Sequence, residues 1–99
     1  MTNKGIIDWQ ITGGDQIDTV LNSGFIGGDV FLNGGNDKLD DTGAKAIGVV
    51  HMGAGDDTFI GGAIGEVVFD EAGHDSYVMG AGDDTVVVLD SSIEALVNT

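Results

Sequence analysis

MGAGDDT at 52–58 recurs unchanged at 79–85, 27 residues later. Twenty-seven is three steps of nine, and a nine-residue step puts the second half of the chain in register. Counting back by nine from Asp84 meets Asp75, Glu66 and Asp57. Two residues after each acid stands an apolar or aromatic residue: Val86, Tyr77, Val68 and Phe59. One further step reaches Val50, where Gly48 stands in place of the acid. The first half keeps the unit Gly-x-Asp-x-apolar with looser spacing, as GGDQI (13–17), GGDVF (27–31) and GNDKL (35–39). Insertions around 18–26 and 40–47 absorb the slack.

Each unit has a physical reading. A Gly-rich stretch of about six residues turns the chain, because Gly takes positive φ without steric cost. Three residues, x-apolar-x, then make a short strand whose middle side chain points inward. Turn, strand, turn, strand closes one coil of about 18 residues, and stacked coils bury their apolar residues against one another. The expected fold is all-β: a right-handed parallel β-roll of two sheets, forming one domain over 1–99. Residues 11–89 carry the repeats, 1–10 an N-terminal cap with Trp9 as a plug, and 90–99 a C-terminal cap. DSSIEALVNT predicts a short capping helix, with Ser91 and Glu94 as its capping box. Successive units occupy alternate edges of a coil, so the two MGAGDDT copies fall on opposite edges.

Composition narrows the function. Gly is 18 of 99 residues with no Pro and no Cys, so the chain turns often and has neither disulfide nor thiolate metal site. Seventeen acids, 14 of them Asp, face three lysines and no arginine, for a net charge of −14. That balance excludes the basic footprint of a nucleic-acid binder. No apolar run is long enough to insert in a membrane as a helix. MTNKGIIDWQ lacks an apolar run followed by a cleavage site, which predicts no cleavable N-terminal signal peptide. Many aspartates sit beside Gly. Clustered carboxylates suit hard, oxygen-seeking cations, yet Asp also hydrogen-bonds its own backbone and can cap a turn with no metal. Both readings stay open from the residues alone.

GAGDDTFI and GAGDDTVV resemble the G-G-x-G-x-D-x-U-x nonapeptide of the RTX (repeats-in-toxin) family. The resemblance spans roughly residues 11–89. It departs from the motif at Met52 and Met79, which stand where the first Gly is expected, and at Ile64 and Glu66 in GGAIGEVV. It implies a calcium-bound parallel β-roll, with ions between same-edge turns of successive coils. Carried onto this chain, it implies one edge of Asp15, Asp37, Asp57 and Asp75, with room for three ions. The other edge carries Asp29, Gly48, Glu66 and Asp84, with at most one ion between Glu66 and Asp84. The implied total is about three to four Ca2+ ions. The resemblance further implies export without a cleaved signal, directed from the C-terminus, and an extracellular or surface location.

Residues flanking the inward positions should face outward. On one sheet they are Gln16/Asp18, Lys38/Asp40, Thr58/Ile60 and Ser76/Val78, an ordinary mixed face. On the other they are Val30/Leu32, Val49/His51, Val67/Phe69 and Thr85/Val87, a nearly apolar one. Such a face marks a contact surface or is covered by the chain's own ends. Val30, Leu32, Val49, Val67, Phe69 and Val87 are therefore the expected interface to a second copy or a protein partner. His51 and His74 share no second set of ligands. The chain has no nucleophile–base pair at readable spacing, no P-loop and no H-E-x-x-H. The expectation is a non-enzymatic calcium-binding module. The competing expectation is a structural assembly or surface-decoration protein docking through the apolar face.

Overall fold

Apolar runs bounded by Gly-rich turns, such as Thr58–Ile60, leave room for strands of only a few residues. A computed structural model describes residues 1–71, 73, 75–88 and 93–97. Among them every regular element is a strand, and every strand pair is parallel. The chain is an all-β parallel solenoid. Coil 1 holds β1 (Thr2–Asn3), β2 (Ile6–Ile7) and β3 (Ile11–Thr12), and coil 2 holds β4 (Thr19–Asn22), β5 (Phe25–Ile26) and β6 (Val30–Phe31). Coil 3 has β7 (Lys38–Asp40) and β8 (Val50–His51), and coil 4 has β9 (Thr58–Ile60) and β10 (Val67–Asp70). Coil 5 has β11 (Asp75–Val78) and β12 (Thr85–Val88), and β13 (Ile93–Val97) follows.

The coils stack into three ladders. One sheet runs β1-β4-β7-β9-β11-β13, a second runs β12-β10-β8-β6-β3, and a short third pairs β2 with β5. The first two coils are thus three-sided and the last two two-sided. In coil 3 the third side shrinks to one bridge, from Phe25 to Ala46. Equivalent positions lie 19 residues apart between the first coils, 20 across the middle and 18 thereafter. The 18-residue coil read from the repeats holds only where two sides remain.

The core lies between the two long sheets. Val20, Leu39, Phe59 and Tyr77 enter from one, and Val30, Val50 and Val68 from the other, with Val86 packed against them. The inward positions read from the nine-residue step, from Val50 through Val86, are thus inside. Met52 and Met79 are also buried in this core. The residues that replace the motif's first Gly therefore fill the solenoid's interior.

Several expectations give way. GGDQI placed Ile17 inside, but Ile17 is 73% exposed and Val20 takes the core position. GGDVF placed Phe31 inside with Val30 and Leu32 outward. Instead Val30 pairs with Val50, so Val30 and Leu32 are buried and Phe31 faces out. A one-residue slip reverses every side chain of a strand, and this frame buries two apolar residues rather than one. Trp9 is no plug, being 75% exposed, and residues 2–12 build the first coil. Residues 93–97 form β13 beside β11, where a helix was expected. A lone helix of so few residues is marginal, whereas the edge of β11 presents unpaired backbone groups. Ser91, the proposed cap, and His74 lie outside the described residues.

Candidate functional site

The spacing Asp-x-apolar sets Asp18, Asp37 and Asp57 one residue before a strand, and Asp75 at the first residue of one, at a corner. In register, Asp18, Asp37, Asp57 and Asp75 form a column along one edge. The Asp37 Oδ1 accepts the Asp18 amide at 2.8 Å, the Asp57 Oδ1 the Asp37 amide at 2.8 Å, and the Asp75 Oδ1 the Asp57 amide at 2.8 Å. Their carbonyls are engaged too, since Lys38, Thr58 and Ser76 donate to Asp18, Asp37 and Asp57. Asp37, Asp57 and Asp75 each so lock the coil before to their own, whereas the Asp18 Oδ2 accepts the Gly14 amide of its own turn at 3.0 Å. Asp37, Asp57 and Asp75 are buried, and the Asp37 Oδ2 has no hydrogen-bond donor among the described residues. Burial raises the Asp37 carboxyl above its ordinary range, opposed by the Asp18 amide. Tyr77 donates to the Asp75 Oδ2 at 3.4 Å.

Asp15 is not in this column. It is exposed beside Gly34, and Asp18 holds the place expected of it. The missed signal is plain in the chain: Asp18-Thr19-Val20 repeats the spacing of Asp37-Lys38-Leu39 and Asp57-Thr58-Phe59, without the preceding Gly pair.

A column of glycines runs beside the acids. Gly35, Gly55 and Gly73 have φ of 99°, 109° and 105°. A Cβ on Gly55 would collide with the carbonyl of Gly35, and one on Gly73 with that of Gly55. Carbonyl oxygens here thus lean along the axis into spaces that only glycine leaves open.

The opposite edge is different. Asp29 accepts the amide of Val49 at 2.9 Å and is out of step with Gly48, Glu66 and Asp84. Glu66 N–H donates to the Asp84 Oδ1 at 3.0 Å, which repeats the column's bond once. The Glu66 side chain, however, turns inward and lies within hydrogen-bonding reach of Asp41 as well as of Asp84. This edge supplies no series of equivalent acids, and Glu66 belongs with an interior group.

That group went unread in the sequence. Asn3, Asn22 and Asp41 are buried and stacked, with the Asn3 Nδ2 donating to the Asn22 Oδ1 at 3.0 Å and the Asn22 Nδ2 to the Asp41 Oδ1 at 2.8 Å. Its signal is a 19-residue period in TNKGI, LNSGF and DDTGA, which a search by nines passes over. Burial pushes the Asp41 carboxyl up to about 6 and Glu66 up to about 8. By contrast, the Thr42 hydroxyl holds Asp40 below the usual carboxylate range. All three lysines are exposed, so none sits among the buried acids.

The outer face of the second sheet carries an aromatic stack. Phe31 and His51 lie with ring centroids 4.5 Å apart and planes 7° apart, and Phe69 follows at 4.8 Å from His51. Glu71 stands 4.0 Å from the His51 Nδ1. Val49, Val67, Phe69 and Val87 keep their expected outward placement, while Val30 and Leu32 leave the interface for the core.

The aspartate column meets two requirements of a hard cation: a buried carboxylate oxygen lacking a donor, and carbonyls leaning into glycine-lined spaces. Among the described residues, no three His, Asp or Glu side chains are grouped so as to hold a metal by themselves. Among those residues, too, no helix is long and apolar enough to cross a membrane. Comparison with protein-family models, curated proteins and solved structures finds no match to this chain.

Proposed function

We propose that this solenoid is a non-enzymatic calcium-binding module whose ions lie along the edge of Asp18, Asp37, Asp57 and Asp75. The observation that carries the reading is the parallel stacking of these acids, three of them buried, in a chain of net charge −14, with the Asp37 Oδ2 lacking a donor. Neighbouring strands in a sheet lie about 4.8 Å apart, so the carboxylates repel one another unless a cation or a proton intervenes. When bound, calcium supplies that positive charge. The chain's own part is to aim one carboxylate oxygen per level and to expose carbonyls beside glycines. With only two acids per gap, carbonyls and water complete the shell. The four levels leave about three gaps. The resemblance to RTX repeats supports this reading, and with it an extracellular setting where calcium is plentiful.

Calorimetric titration with calcium, alongside circular dichroism with and without EDTA, tests it. We expect about three ions and a gain in thermal stability that EDTA removes. Asp37→Asn should lower the stoichiometry while leaving the fold. No binding, with β-structure indifferent to EDTA, would mean that the aspartates serve only to lock coil to coil.

A second reading rests on the outer stack of Phe31, His51 and Phe69 with Val67 and Val87. On it the module docks to a second copy or a protein partner through that face, as a structural or surface-decoration component. Sedimentation of the wild type against Phe69→Ser separates the two, since calcium binding should survive the substitution and self-association should not.

A further inference from the structure

The interior column has a direction. Gly5 N–H donates to the Asn3 Oδ1 and Gly24 N–H to the Asn22 Oδ1, both at 3.1 Å. These two bonds fix which amide atom is oxygen, so each Nδ2 must point to the next coil. Asn3 donates to Asn22, and Asn22 donates to Asp41. Asp41 has no amide hydrogen to pass on. One coil further, the register of Asp40 with Ile60 brings Gly61 to the place of an Asn or Asp. Gly61 leaves that place empty of side chain, and Glu66 fills it from the opposite side: a Cβ on Gly61 would meet the Glu66 Oε1.

Two carboxyl groups therefore meet inside the solenoid. Asp41 is 0% exposed and Glu66 1%. The Glu66 Oε2 accepts Gly62 N–H at 2.9 Å, and the Asp41 Oδ1 accepts from Asn22. The remaining oxygens, Asp41 Oδ2 and Glu66 Oε1, have no donor among the described residues, although the two groups are within hydrogen-bonding reach. The other groups that face them are also acids: Asp84, whose Oδ2 likewise has no donor among the described residues, lies within hydrogen-bonding reach of Glu66, and Asp40 stands beside Asp41. Two buried carboxylates at this distance cannot both be ionised without a large penalty.

We propose that Glu66 carries a proton and donates it to Asp41, so that one shared proton closes the buried Asn3–Asn22–Asp41 column. The proton supplies the donor that an amide supplies at the two levels below. It also joins coil 3, which owns Asp41 and ends the three-sided part, to the two-sided coils, which own Glu66. This joint stands apart from the aspartate edge and does not depend on calcium being bound there.

The sign of the pH effect follows. The Glu66 carboxyl is raised in the folded chain from 4.5 to about 8. Its contribution to stability is full below 4.5 and lost as pH rises to about 8, because the native state holds a proton that the unfolded state releases. Other raised acids, Asp37 and Asp41, push the same way, so the wild type alone does not isolate the joint.

The test compares wild type with Glu66→Gln in EDTA, by chemical unfolding from pH 5.5 to 9. Gln keeps an acceptor for Gly62 and gives Asp41 a permanent donor. The wild-type unfolding constant should rise across this range at least tenfold more than that of the variant. Equal pH dependence in the two proteins would overturn the proposal. Should the variant fail to fold, carbon NMR of the wild-type Glu66 carboxyl gives the answer directly. A midpoint near 8 supports the shared proton, and an ordinary glutamate midpoint overturns it. A midpoint that falls to ordinary values when calcium is added would make the joint a cation site, and would equally overturn it.

Discussion

In coils 1 and 2 the chain turns three corners per coil, and in coils 4 and 5 only two. The core between the long sheets is continuous through both, so the difference lies in how corners are made. In the three-sided part, an Asn takes the amide two residues on, as Asn3 does with Gly5 and Asn22 with Gly24, which bends the chain within one side. In the two-sided part, a left-handed glycine turns the chain and an aspartate pins the turn to the next coil. One corner is held by side-chain amides pointing inward, the other by carboxylates at the edge. Extra sides thus follow from where polar side chains can be stacked and satisfied, since both parts have apolar residues enough to fill the core.

The largest effect is expected at a left-handed glycine of the edge corner, set against a roomier glycine in coil 3. Gly55→Ala places a Cβ on the Gly35 carbonyl at φ 109° and should destabilise by about 3 kcal/mol. Gly43→Ala, in the DDTGA corner of coil 3, meets only Ser23, tightly at its Cβ (3.2 Å) and ordinarily at its Cα (3.7 Å), and should change stability by about 1 kcal/mol or less. Similar losses for both, measured by chemical unfolding, would mean that the corners do not differ in this way. A smaller effect probes the inner column. Asn22→Ala removes the donor to Asp41 and the acceptor of Asn3, with an expected loss of about 2 kcal/mol. An unchanged midpoint would show the column to be dispensable. The smallest effect is expected at Trp9→Ser, whose side chain lies outside the core, within about 0.5 kcal/mol of wild type in the same unfolding assay.

Much of the candidate site could be read from residue spacing, and the failures share one cause. From Val50 onward the nine-residue step is strict, and Phe59, Val68 and Tyr77 are inside as read. Before it, the step is broken, and a Gly-Gly-Asp match outweighed spacing. The complete local motif points to Asp15 and Ile17 where the register selects Asp18 and Val20, and to Phe31 where it selects Val30. Register is a property of two strands at once. Val30 is set by its pairing with Val50, twenty residues away, and no feature of GGDVF alone distinguishes the two frames. The Asn3, Asn22 and Asp41 column is hidden for the same reason: its period of 19 is that of the first coils, and the nine-residue step of the later coils does not contain it.

The sequence by itself determined that the chain winds, that its strands are short, and that acids recur at corners. Those features are local: Gly permits the turn, alternation selects the inward side chain, and a repeated spacing repeats the geometry. Only the tertiary structure decided which acids share an edge, how many sides each coil has, and that Glu66 leaves its own edge to meet Asp41. These depend on what stands one coil away. Glu66 reaches Asp41 because Gly61, by register, leaves a space there, and a vacancy of that kind has no mark in the residues that come to fill it.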